Sequence, residues 1–235
     1  MLTQLQRRQF SQAERDLDAL TGRQVGALAG SLGQLGPVFT AGVMEALPPL
    51  VAELADVSAL IGSSAYDLSR EQSDASGRFA ALLADPPPDE MVQASTKWAL
   101  FTPVNGEAAD RQTVTDRLTV MALRLVRDGS RNTVVGSVRR DPARPMYRRV
   151  AKGGACGFCL LLSSRGAIYP SKDNAGSGKH WHDRCSCTIE PQFKGESEPA
   201  EVAALYSDFS RTTRGLSGSD AVRHYNRVIA ERARA

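Results

Sequence analysis

The 235-residue chain is 42% hydrophobic and 23% charged, enough apolar content to bury a core in one large domain or two small ones. Its aromatic fraction is only 6%, so that core is expected to consist mostly of Leu, Val and Ala. The net charge of +3 is unevenly spread: residues 1–128 carry 11 Lys/Arg against 16 Asp/Glu, and residues 129–235 carry 18 against 10. No run of about 18 apolar residues occurs, so no membrane span is expected. The N-terminus turns polar at once and has no secretory apolar region, which points to synthesis in a cytoplasm where thiols stay reduced.

The first 128 residues read as helical. Ser11 and Glu14 have the spacing of a capping box, and Leu17, Leu20 and Val25 recur at helical intervals after it. Residues 30–36 punctuate. A second helical pattern follows Pro37 through Val43, Leu47, Val51, Leu54 and Ile61, with Pro48-Pro49 expected to break or kink it. A third helical stretch is expected over 64–84, ended by Pro86-Pro87-Pro88, and a fourth over 89–101. The clearest helix spans 107–128, with Val114, Leu118, Met121 and Leu125 on one stripe and Gly129 as its stop signal.

From residue 130 the texture changes. Ser130 is placed to cap a short helix reaching about Arg140, and 141–145 is a turn-rich break. Met146–Ala151 alternates as a strand, with Arg148 and Arg149 either on a solvated face or pairing acidic groups of a partner. Leu160–Leu162 reads as a helical turn or two, with Arg165-Gly166 as its C-cap, and 168–169 as a second strand. A polar loop occupies 171–179, and a third strand runs from Cys187 until Pro191 closes it. The tail, 199–235, reads as two helices split by the glycines at 215 and 218, with His224 an ordinary surface residue of the second.

All four cysteines and two of the three histidines fall between 156 and 187, in the order Cys156-x2-Cys159, His180-x-His182-x2-Cys185-x-Cys187. Thiolates and imidazoles at this spacing suit a tetrahedral Zn²⁺, because two local chelating pairs lower the entropy of assembling four ligands. The expected ligands are Cys156, Cys159, His182 and one of Cys185 or Cys187. The glycines at 153, 154 and 157 let the backbone curl toward the metal, and Trp181 packs over the loop. Four protein ligands leave no open coordination position, so the expected Zn²⁺ is structural and no catalytic residue is assigned. Reduced core cysteines and disulfides are the competing readings. Nucleophilic catalysis by Cys156 or Cys159 with His182 as base is a further one that nothing in the spacing requires.

The runs Tyr147-Arg-Arg-Val150, Ala155-Cys-Gly-Phe-Cys-Leu-Leu-Leu-Ser-Ser-Arg-Gly-Ala-Ile-Tyr169 and His182-Asp-Arg-Cys-Ser-Cys187 before Pro191 resemble the minor head proteins of tailed bacteriophages, the phage Mu F-like (MuF-like) group and its actinophage relatives. The resemblance is close over about 145–193 and one of character only in the helical N-terminal region. Asp183 stands where the family often has Pro, and Ser186 where it often has Arg. The resemblance implies a structural component of the virion, assembled in the host cytoplasm. It would bind the portal or major capsid protein and aid head assembly, DNA packaging or ejection. Some actinophage relatives are labelled capsid maturation proteases, and that is the enzymatic alternative.

The sequence therefore predicts a mostly α, α+β protein: a helical docking region over 1–128, a zinc-stapled module over 129–193 and a basic helical tail over 194–235. Packaged DNA could meet the basic C-terminal half, and the small residues of the early helices suit self-association. A zinc-stabilised nucleic-acid-binding module unrelated to phage heads is the remaining alternative.

Overall fold

A computed structural model describes residues 2–152, 154–167 and 185–234. Seven helices and two strands occur among them: α1 (Gln4–Ser31), α2 (Pro37–Glu71), α3 (Asp89–Phe101), α4 (Arg111–Arg140), β1 (Met146–Val150), α5 (Gly157–Ser163), β2 (Thr188–Gln192), α6 (Ala200–Thr212) and α7 (Gly218–Arg232). The described residues are mostly α with one small antiparallel sheet, which fits the mostly α, α+β class that the patterning predicts. Residues 168–169, 171–179, His180, Trp181 and His182 lie outside the described residues.

Two compact units divide the chain, and neither is contiguous. One comprises 3–64 with 82–133; the other comprises 65–81 with 134–235 and the extreme N-terminus. Helices α2 and α4 each contribute their first part to one unit and their last turns to the other.

The first unit is all helical. Its core joins Leu17 and Val25 of α1, Phe39, Val43, Leu47, Val51 and Leu54 of α2, Val92 and Ala99 of α3, and Val114, Leu118 and Leu125 of α4. Helix α1 starts earlier than Ser11: Thr3 is its N-cap, and Thr3 and Gln6 form the capping box, with Gln6 N–H donating to Thr3 Oγ1 (3.3 Å) and Thr3 N–H to Gln6 Oε1 (2.8 Å). Helix α2 continues through Pro48 and Pro49. Two prolines remove two backbone donors, but fully buried Leu47 and Val51 on either side hold the segment helical through packing. By length and composition α2 could cross a membrane; here its apolar face is packed in the helical core.

Gly129 does not end a helix, and Ser130 caps none. Helix α4 runs unbroken from Arg111 to Arg140 because Gly129 and Gly62 serve a close crossing of α2 and α4. A Cβ on Gly129 would stand 2.3 Å from the Ala55 carbonyl oxygen, and one on Gly62 would stand 2.7 Å from that of Ser130. Ser58 Oγ accepts from Ser130 N–H at the same crossing (3.1 Å). The expected helix over 64–84 is also replaced: α2 ends at Glu71, and 74–88 has no regular structure.

The second unit has a smaller apolar core of Tyr66, Val134, Val138, Tyr147, Ile189 and Phe193. The Tyr66 ring meets Phe79 and Phe193 edge-on, with centroids 6.0 and 5.9 Å apart. Its hydroxyl donates to Asp141 Oδ2 (2.9 Å), which also accepts from Arg70 Nε (2.8 Å). Arg70 Nη2 reaches on to the carbonyls of Ser76 and Gly77, tying down the strand-free segment after α2. Burial, then the Asp141 hydrogen bond, raises the Tyr66 pKa well above the ordinary tyrosine value, so the hydroxyl stays a donor.

Strands β1 and β2 pair antiparallel from Met146↔Gln192 to Val150↔Thr188. Pro191 does not close β2; it pairs with Tyr147 inside the strand, a place proline tolerates in a sheet that has only two strands among the described residues. Arg148 and Arg149 are not on a solvated face. Both are 2% exposed, and Arg148 forms a cross-strand ion pair with its register partner Glu190.

Candidate metal centre

Short helix α5 and the approach to β2 bring the cysteines together. Cys156 occupies the N-cap of α5 in extended geometry, and Cys159 sits one turn in. Cys185 and Cys187 precede β2 in a stretch where burial alternates residue by residue, so they share the inward side with Ile189. Cys159, Cys185 and Cys187 are each 2% exposed or less and pack with Ala151 and Ala155.

The three buried sulfurs lie within 4.8 Å of one another, and Cys159 Sγ is 3.6 Å from Cys185 Sγ. Sulfurs held at 2.3 Å from a tetrahedral Zn²⁺ stand about 3.8 Å apart, so the spacing fits a metal. All four cysteines are free thiols. Cys156 is exposed but contacts the cluster. Its thiol is the foremost influence holding the Cys159 pKa above the ordinary cysteine range, followed by Cys185, Cys187 and burial. A metal ion binding here must displace the Cys159 proton.

The sequence reading required one of Cys185 and Cys187; the structure places both inside. His182 lies outside the described residues, so the fourth position is open to it or to Cys156.

Both ends of α5 are held by the C-terminal segment, one by α7 and the other by Glu198 just before α6, and no sequence motif announced this. Asn226 of α7 accepts from Phe158 N–H through Oδ1 (2.8 Å), capping α5 from a distant element. Gly157 permits the approach: a Cβ there would lie 2.8 Å from Asn226 Cα. At the other end, Gly166 closes α5 in the left-handed region (φ 69°), as the Arg165-Gly166 pair predicts. Glu198 Oε1 accepts from the next residue, Ala167 N–H (2.8 Å). Helix α7 is fixed on α6 by Phe209–Tyr225 ring contact at 5.1 Å and by Tyr225 Oη donating to Asp208 (3.0 Å). Burial and then Asp208 push the Tyr225 pKa up to about 12. His224 is half-buried rather than freely exposed.

No solved structure matches the chain. It is similar to the Gene 15 protein of Mycobacterium phage D29, 26% identical over 208 positions covering 70% of this chain and 75% of that one. It is also similar to the Gene 15 protein of Mycobacterium phage L5, 27% identical over 224 positions covering 73% and 72%. The VG15 protein family profile matches residues 1–212, an interval that takes in the whole helical unit and the cysteine cluster and stops before α7. The chain is a bacteriophage protein and belongs to the VG15 protein family.

Proposed function

We propose that this protein is a structural minor head protein of a tailed phage, of the MuF-like type, docked on the portal or inner capsid and stabilised by a structural Zn²⁺. The observation that carries the metal half of this reading is the mutual approach of three buried thiols on two elements that share no large apolar core. Cys159, Cys185 and Cys187 would hold the ion, with Cys156 or His182 completing the tetrahedron. A bound Zn²⁺ would supply a cross-link between α5 and the approach to β2, as folding energy and not catalysis.

The phage family and its mycobacteriophage relatives support the setting, a virion or an infected cell. The head assignment rests on the MuF-like motif order. The basic C-terminal half adds a surface suited to packaged DNA, whose binding would weaken steeply with salt.

The test is quantitative mass spectrometry of purified proheads and virions, combined with the intact mass of the capsid protein co-expressed with wild type or Cys156→Ser. The expected result is a low, fixed copy number per head and an unchanged capsid mass in both cases. Absence from particles would overturn the structural role. A capsid truncation that disappears in the variant would replace it with the maturation protease. Zinc content of the purified chain, expected at one ion per molecule, checks the metal separately.

A further inference from the structure

We infer that Cys156 is a thiol-modification site: it exchanges with a small-molecule disulfide at the surface and passes the oxidation inward, leaving a disulfide between Cys159 and Cys185. The four thiols differ in access. Cys156 is exposed, whereas Cys159, Cys185 and Cys187 are 1%, 2% and 2% exposed. The turn before α5 sets this difference. Ala155 N–H donates to the Lys152 carbonyl (3.0 Å), Gly154 lies in the left-handed region (φ 77°), and Cys156 follows at the N-cap of the helix. Cys159, at the next turn, is buried with the other two thiols. A reagent the size of a tripeptide disulfide reaches the first sulfur and is excluded from the rest.

The sulfurs also form a continuous path inward. The Cys156 thiol hydrogen-bonds with that of Cys159, and Cys159 Sγ lies 3.6 Å from Cys185 Sγ. A disulfide bond of about 2 Å needs only a small further approach of that pair. Thiol–disulfide exchange then runs in three steps. The Cys156 thiolate attacks one sulfur of the small disulfide, and the other half leaves as a thiolate. Cys159 attacks the Cys156 sulfur, gives its proton to solvent and expels the remaining small thiolate. Cys185 attacks the Cys159 sulfur in turn, and Cys156 leaves, taking up the proton that Cys185 loses. Two protein thiols are oxidised, and one small disulfide is reduced to two thiols. The product closes a span of 26 residues between α5 and the approach to β2, a cross-link that restricts the unfolded chain. The thiols stay reduced against a reducing thiol pool and oxidise where small disulfides accumulate.

The inference uses the sulfurs of the zinc reading but requires neither the metal nor a phage head. Its test exposes the purified full-length chain to oxidised glutathione, stops exchange by alkylation at intervals, and maps adducts and disulfides by mass spectrometry. A glutathione adduct on Cys156 should rise first and fall as the Cys159–Cys185 disulfide accumulates. Cys156→Ser should slow that disulfide at least about tenfold, with circular dichroism confirming that the variant is folded. In denaturant the preference for Cys156 should vanish, because the buried thiols become accessible. A first adduct on another cysteine overturns the inference, as does a disulfide that forms at the wild-type rate in folded Cys156→Ser. A final product linking Cys156 to Cys159, or Cys159 to Cys187, overturns the assigned pairing. Zinc content measured on the same sample separates the two readings. Bound zinc with no oxidation overturns this inference alone, and oxidation through Cys156 in a chain without zinc overturns the zinc reading alone.

Discussion

The two units of this protein solve the same stability problem with different chemistry. The all-helical unit buries a broad set of Leu and Val side chains from four helices and lets two glycines bring α2 and α4 into backbone contact. Its buried hydroxyls are satisfied locally, as where Thr21 and Thr96 donate to the carbonyls of Leu17 and Val92 at 2.8 Å. The other unit has fewer apolar groups to bury. It relies on a buried Tyr66–Asp141–Arg70 network, a buried Arg148–Glu190 pair and a cluster of thiols. Where apolar area is scarce, directional polar bonds carry specificity, and each such bond is more costly to break than a single methylene.

The largest effect is expected from the proposed Zn²⁺ at the thiol cluster. Cys159→Ser, or chelation of the wild type, should remove zinc and cost the second unit much of its folding energy; structural zinc sites contribute on the order of 10 kcal/mol in small peptides. Hydrogen exchange should show lost protection in β1, α5 and β2, with protection retained over Val43–Leu54 and Leu118–Val126. Equal loss in both units would break the comparison.

Next in size is the polar network. The Asp141 side chain is fully buried and that of Arg70 is 11% exposed. Asp141→Ala should cost about 3–5 kcal/mol, because it strands a largely buried guanidinium and the Tyr66 hydroxyl. Chemical denaturation followed by Tyr and Trp fluorescence measures it. A loss below 1 kcal/mol would show that the network is dispensable.

Within the helical unit, Gly129→Ala should destabilise by about 1–3 kcal/mol although Ala is the better helix former. The propensity gain would win only if α2 and α4 could separate, so a stabilised variant would refute the close crossing. The smallest effect expected is that of Asn226→Ala, about 1 kcal/mol from a lost cap on α5. It should also speed zinc loss to a competing chelator, while Asn226→Asp, which can still accept from Phe158 N–H, should restore retention. No change in zinc retention would separate the C-terminal helices from the metal centre.

Much of the fold was legible in the residues. The apolar stripe of α4, helix α3, strand β1, the α5 turn and the two tail helices follow from periodicity and turn residues. The errors share one cause. Gly129, Pro48-Pro49 and Pro191 have clear local preferences, but each sits where tertiary contacts outweigh them: a helix crossing, a buried helix face and a cross-strand pair with Tyr147. The arginines at 148 and 149 misled for the same reason, since a charge is assigned to solvent until its partner, here Glu190 across the sheet from Arg148, is known.

By itself the sequence determined the mostly helical class, the order of the later elements and the gathering of every cysteine into one metal-type cluster, because these depend on short-range spacing. Only the tertiary structure decided which thiols meet, that Asn226 and Glu198 hold the ends of α5, and that Asp141 joins Tyr66 and Arg70. Those contacts span 26 to 75 residues of chain, and no local pattern encodes a partner that distant.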